Sequence, residues 1–253
     1  MIVWRDKFKA FAIHFVLTLL LAAMAATLIF VIWFPPPFSR MIGGTELFRL
    51  VVGCDIVLGP LMSLVIYNRT KSRRALVFDY TLVGALQIGA IVYGLWVTEG
   101  TRPVYFAFVA DRFEVVAARA LKPAELAAAR DPRYASVPFW GIRDIAIRVP
   151  PADTDDALFQ SLSGNEEAER PKFYVPFDSE IAAIRAHARP LAELEDTHPE
   201  AKIRLETARA NAGIPEERLR WLPVRYDQVF WTALIDTQTG RPVSYVELDP
   251  YPK

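Results

Sequence analysis

Between residues 47 and 97 two apolar stretches stand back to back, separated only by a short basic hinge. The first, LFRLVVGCDIVLGPLMSLVIY (47–67), is interrupted by Arg49 at its mouth and Asp55 inside it. The second, VFDYTLVGALQIGAIVYGLWV (77–97), carries Asp79 near its start and Gln87 at its centre. The hinge, NRTKSRRAL, holds Arg69, Lys71, Arg73 and Arg74. As an α-helix each stretch would measure about 31 Å, the thickness of a bilayer's hydrocarbon core, and together they are predicted to form a transmembrane helical hairpin.

A third apolar run precedes them. Residues 1–9 are basic, with Arg5, Lys7 and Lys9 against Asp6, and residues 10–34 are apolar until Pro35-Pro36-Pro37. A secretory signal peptide is the competing reading, because Ala23-Met24-Ala25 imitates a cleavage site. Its apolar region would be about 7–15 residues, and this run is much longer, so an uncleaved transmembrane helix is expected. His14 and Thr18 in its first half are expected to make interhelical or backbone hydrogen bonds rather than to do chemistry.

The charge distribution makes the same division. Residues 1–97 hold nine Lys and Arg against four Asp and Glu, and residues 98–253 hold 20 against 25, so the zero net charge conceals a basic apolar part and an acidic soluble part. No nucleic-acid footprint is present, and the single cysteine, Cys54, builds neither a disulfide framework nor a zinc cluster. Basic residues cluster in the N-terminus and in the hinge, whereas the 35–46 connection holds only Arg40. By the positive-inside rule the N-terminus (1–9) and the hinge are cytoplasmic. Three crossings (10–34, 47–67, 77–97) would put residues 98–253 on the opposite face. Trp33, Tyr93 and Trp96 suit the outer aromatic belt.

Within the spans, Ala22-xxx-Ala26, Gly59-xxx-Ser63, Ala85-xxx-Gly89 and Ala90-xxx-Gly94 allow close helix contact, and Pro60 should bend the second span. Asp55 and Gln87 fall at depths of about 12 and 15 Å below the outer ends of their spans, close enough to touch. An ionised Asp there is costly, so Asp55 is expected to be hydrogen-bonded to Gln87, protonated, or paired with a charge from another chain. Asp79 is within reach of Arg73 or Arg74.

Residues 98–253 read as α+β. A strand pair over 103–118 turns at Asp111-Arg112; a short helix runs over 122–130; 140–149 contains a strand; 153–162 is a helix; and 165–176 is a polar loop. A helical zone from 178 to about 211 breaks at Arg189-Pro190 and His198-Pro199 and closes at Gly213. Residues 221–224 form a strand, and 229–235 with 243–248 form a hairpin around Asp236-Thr237-Gln238-Thr239-Gly240. First and last strands are expected in one sheet. Phe106, Phe108, Phe113, Trp140, Trp221, Phe230 and Trp231 are most simply core aromatics.

Catalytic patterns are missing. His14, His187 and His198 are scattered with no HExxH or CxxC companion, there is no G-x-S-x-G elbow or phosphate-cradling glycine loop, and no cytoplasmic output domain is present. No enzyme activity, cofactor or metal is expected.

Asp55-x-x-Leu58-Gly59-Pro60-Leu61, Asp79, Gln87, Tyr93-Gly94, Arg102-Pro103, Asp111-Arg112-Phe113, Thr232-Ala233-Leu234-Ile235-Asp236 and Pro250-Tyr251 resemble the type IV pilin accessory proteins of Gram-negative bacteria. The resemblance implies a bacterial inner-membrane protein with a cytoplasmic N-terminus, three transmembrane α-helices and an α+β periplasmic domain, which binds and stabilises a type IV pilin in a chaperone-like way. Its partners would be the lipid bilayer and the pilin, whose single apolar helix bears an acidic residue. Asp55, Gln87, Arg49, Gly59, Pro60, Gly89 and Gly94 are then the candidate contacts, with Gln87 or Arg49 the expected partner of that acid because two carboxylates repel. A small transport or channel subunit, or a periplasmic ligand-binding protein, is the alternative.

Overall fold

The computed structural model describes residues 2–43, 61, 62, 65, 66 and 71–251. The chain divides into two compact units, Met1–Thr101 and Arg102–Lys253.

Among the described residues the first unit holds two long apolar helices. Helix α1, Ile2–Thr27, has no proline or glycine to break it and continues as a π-helical turn over Leu28–Trp33. The Phe34 N–H closes that turn on the Ile29 carbonyl at 2.7 Å, and the three prolines then prevent continuation. A short helix, α2, covers Phe38–Met41. Helix α3, Arg73–Thr101, begins where Ser72 Oγ accepts the Ala75 N–H, a side-chain cap on one of the first free amides. The segments Lys7–Trp33 and Arg73–Thr101 are each long and apolar enough to cross a membrane. The expected span 47–67 lies almost wholly outside the described residues.

Burial on α1 follows a helical stripe. Thr18, Ala22, Ala25, Ile29 and Trp33 are buried while Leu17, Leu20, Met24 and Val31 are exposed. Leu95 of α3 packs on the cluster of Ile29, Trp33 and Phe34. Trp33 is thus a packing residue, whereas Tyr93 and Trp96 are exposed.

The second unit is a mixed sheet in the order β4-β3-β1-β2-β6-β7-β8, with β5 paired to the edge of β6. Its strands are β1 Pro103–Val109, β2 Arg112–Ala117, β3 Arg143–Ile147, β4 Tyr174–Pro176, β5 Arg189–Pro190, β6 Leu219–Tyr226, β7 Val229–Asp236 and β8 Pro242–Val246. Hairpins β1–β2, β6–β7 and β7–β8 are antiparallel; β1 with β3 and β2 with β6 are parallel. First and last strands therefore share one sheet, as the pattern predicts.

Every residue of β1 is buried, because the sheet is covered on both faces there. Tyr105, Ala107 and Val109 join Tyr134, Ile145, Ala168 and Tyr174. Their neighbours Phe106 and Phe108 point the other way onto Phe113, with ring centroids 4.6 and 5.6 Å away, and Phe113 stacks in turn on Phe177 at 6.3 Å. A second core forms where α7 (Leu191–Thr197) and α8 (Lys202–Ala212) lay Leu191, Leu194, Leu205 and Ala208 on Leu219, Trp221, Leu234 and Val246. The remaining helices are α4 (Pro123–Ala127), α5 (Thr154–Leu162) and α6 (Ile181–His187). Gly213, at φ +64°, ends α8 in the left-handed conformation that glycine adopts without penalty.

Four details depart from the sequence reading. The β1–β2 turn is Ala110-Asp111, one residue early, because Arg112 pairs with Val109. The polar 165–176 stretch ends in β4, a short strand with only Tyr174 fully buried, too weak a pattern to read as a strand. Trp140 is 67% exposed beside exposed Phe139, since the chain there loops ahead of β3 instead of running in it. Helix α5 turns Ala157 inward and leaves Leu158, Phe159 and Leu162 exposed, the reverse of an ordinary surface helix.

Candidate functional site

The polar locus of the apolar unit is a bond between α1 and α3. His14 Nε2 and Gln87 Oε1 stand 2.7 Å apart. Both side chains lie on the half-buried stripes of their helices. His14 thus makes the interhelical bond expected of it, and Gln87 finds its partner on α1. A bond of this kind in an apolar environment fixes helix register for about 0.5–1.5 kcal/mol. Contacts then advance in the same direction along both helices. His14 meets Gln87, and further along each chain the Ile29–Trp33–Phe34 cluster meets Leu95, so α1 and α3 run in the same sense.

Helical phase separates the other candidates. Gly94 is half-buried on the same stripe of α3 as Gln87, whereas Gly89, two residues on from Gln87 and about 200° round the helix, is exposed. Apart from the backbone of its own helix turns and its chain neighbours, no described atom lies within 4 Å of where a Cβ on Gly89 would stand. Arg49, Asp55, Gly59 and Pro60 lie outside the described residues. Asp79 is bound by Lys71, 2.6 Å from Nζ, rather than by Arg73 or Arg74. Those arginines sit six and five residues before it on the same helix, about 240° and 140° away, while Lys71 precedes the helix and can reach across.

The second unit concentrates its charge in ion pairs. Glu114, buried on β2, receives Arg112 at 2.7–2.8 Å and Arg225 at 3.0 Å, and Arg225 also reaches Glu166. Glu114, Glu166 and Arg225 line a pocket of about 280 Å³ with Arg119 and Glu169. Burial pushes the Glu169 carboxyl above its usual range, opposed by Lys122 and reinforced by Glu114. Within this pocket Arg225 bridges Glu114 and Glu166. Among the described residues no group of three His, Cys, Asp or Glu side chains is placed to hold a metal ion.

At the β7–β8 turn, Asp236 accepts Arg218 Nε and Nη2 at 3.0 and 2.7 Å, the Gln238 N–H at 3.0 Å and the Thr239 hydroxyl at 3.0 Å. Burial alone would raise this carboxyl. The donors outweigh it and hold Asp236 below the usual carboxylate range.

Sequence comparison places this architecture among assembly factors of surface fibres. The family model described as fimbrial assembly protein FimB matches residues 2–43, the segment that forms α1 and α2. Three curated relatives come from Dichelobacter nodosus. "Fimbrial assembly protein, serogroup I" is 29% identical over 96% of this chain and 95% of its own length. The serogroup E1 protein is 28% identical over the same shares. "Fimbrial assembly protein, serogroups C1 and C2" is 34% identical over 43% of this chain and 82% of its own length. The chain belongs to this fimbrial assembly protein family, in keeping with its resemblance to type IV pilin accessory proteins. No solved structure matches it.

Proposed function

We propose that the protein is a non-enzymatic accessory factor of pilus assembly that crosses the inner membrane three times, holds residues 98–253 in the periplasm, and binds and stabilises a type IV pilin. The family supports the pilus role. The observation that carries the membrane geometry is the common direction of α1 and α3. Two parallel helices of spanning length require the chain to return between Trp33 and Arg73, and residues 47–67 are apolar and long enough for that return. In this arrangement the pilin's apolar helix lies against the bundle. Its acidic group meets Gln87 or Arg49 rather than Asp55, and the small-residue face around Gly89 lets a further helix backbone come close.

The test is removal of the gene followed by measurement of pilin level and surface pili, with copurification of pilin on the tagged full-length chain. Loss of pilin with copurification supports the proposal. Normal pilin and ion flux through the protein in liposomes would replace it with the transport reading. Asp55→Asn and Gln87→Leu, singly and together, then separate the roles: a docking site predicts weaker pilin binding with the protein still present at normal level.

A further inference from the structure

Helix α5 is held with its apolar residues turned outward. Asp155, Leu158, Phe159 and Leu162 fall within about 100° of one another around its axis, and Ala157 lies on the opposite side. Leu158, Phe159 and Leu162 are 62%, 69% and 81% exposed, while Ala157 is buried. Ion pairs fix this orientation. Asp156, next to Ala157, accepts Arg170 Nη2 at 2.7 Å and stands 3.1 Å from Lys172 Nζ. The Arg170 side chain is only 5% exposed and lies over the Phe173 ring, 4.8 Å from its centroid. Just before the helix, Asp153 is bound by Arg130 at 2.6 Å. Turning α5 over would strip a nearly buried guanidinium of its closest carboxylate, which is strongly unfavourable.

Charge and area narrow what covers this face. Asp155, at its amino end, is exposed and makes no ion pair or hydrogen bond among the described residues, unlike its neighbours Asp153 and Asp156. A second copy of the chain is a poor occupant. An antiparallel α5 pair would set Asp155 against the carbonyl end of the other helix, and a parallel pair would set two Asp155 carboxylates together. A partner with a basic residue beside its own apolar patch complements the face instead. The three apolar side chains expose about 350–400 Å² together, roughly half of the 800 Å² that each partner gives to a stable interface. That is too little to hold a freely diffusing protein tightly. It suffices for one already tethered in the same membrane, where the effective concentration is on the order of mM.

Resting on the reading of the protein as a pilin-binding factor, we propose that the α5 face of Asp155, Leu158, Phe159 and Leu162 docks the soluble part of the pilin. Its contact on the pilin is an apolar patch bordered by a lysine or arginine. The pilin's apolar helix, held in the bundle, supplies the tether, and α5 supplies the second contact.

The experiment places the photocrosslinker benzoylphenylalanine in the full-length chain in its native cells, in place of Phe159 or, as a control on α8, of Ile203, which is 78% exposed. Irradiation should join the chain to pilin from position 159 and not from 203. Leu158→Ser with Leu162→Ser should lower the pilin that copurifies with the tagged chain about tenfold, and Asp155→Lys about threefold to fivefold, with the chain itself at normal level. Should a variant lower that level, the crosslink at 159 in the otherwise native chain decides. The docking is overturned if pilin is not joined at 159, if 203 reacts equally, or if 159 joins two copies of this chain instead. Pilin copurification unchanged by the variants overturns it too. In each of these cases, copurification of pilin with the native chain leaves the pilin-binding reading standing. If the native chain brings down no pilin, that reading is wrong and the docking falls with it.

Discussion

Replacing Asp236 tests whether the closing hairpin is held by its carboxylate. The side chain is 3% exposed and receives four donor contacts, two from Arg218 and two from the turn it closes. The Arg218 side chain is 31% exposed, so the pair is worth less than a fully buried one, about 1.5–3 kcal/mol. Each turn bond adds about 0.5–1 kcal/mol. Asp236→Ala should then destabilise by about 3–4 kcal/mol. Asp236→Asn retains an acceptor for the Gln238 N–H and should lose about 2 kcal/mol. Urea unfolding of the full-length protein in detergent reads this through Trp221 and Trp231, both buried beside the turn's strands. The native carboxyl lies below its ordinary pKa, so its contribution is complete above the ordinary carboxylate range and disappears as pH falls through the native pKa. The gap between native protein and Asp236→Asn should therefore narrow on acidification. Equal stability at neutral pH, or a gap independent of pH, would refute the reasoning.

Other substitutions follow from single geometric facts. Ala110 holds φ +53° at an exposed turn, so Ala110→Gly should raise stability by about 0.5–1 kcal/mol in the same assay. Gly240 holds φ +70°, and a Cβ there would stand 2.8 Å from Ile181 Cγ2; Gly240→Ala should cost about 1–3 kcal/mol. Glu114→Ala leaves Arg112 and Arg225 facing each other and should cost about 3 kcal/mol, with Glu114→Gln intermediate. A double-mutant cycle of His14→Leu and Gln87→Leu, read by thermal unfolding in detergent, should return a coupling of about 0.5–1.5 kcal/mol, and zero coupling would remove the bond from the helix pair.

The sheet unit was largely legible because its signals are local. Gly213 and Gly240 mark the end of α8 and the last turn, Arg189-Pro190 and His198-Pro199 mark the helix breaks, and alternating residues mark β1, β2 and β7. What local pattern could not supply was pairing. The parallel registers of β1 with β3 and β2 with β6 join residues about 40 and 110 positions apart, and nothing in either strand names its partner. Trp140 was misread for a related reason. An aromatic in an apolar stretch looks like core, and only the fold shows that Trp140 lies in the loop before β3 and is exposed. In the helices, composition flagged Gln87 and His14 separately, but the bond between them depends on the crossing of α1 and α3, which a one-dimensional pattern does not contain. The Asp79 partner needed only helical phase, and 100° per residue would have excluded Arg74.

The proposed topology rests most on the direction of α1 relative to α3, because an odd number of crossings would put the sheet unit outside the cytosol. Paired reporters fused at Met1 and at Lys253 in living cells measure this directly. The account predicts a cytoplasm-active reporter to work only at Met1 and a periplasm-active one only at Lys253. Activity of one reporter at both ends would contradict it.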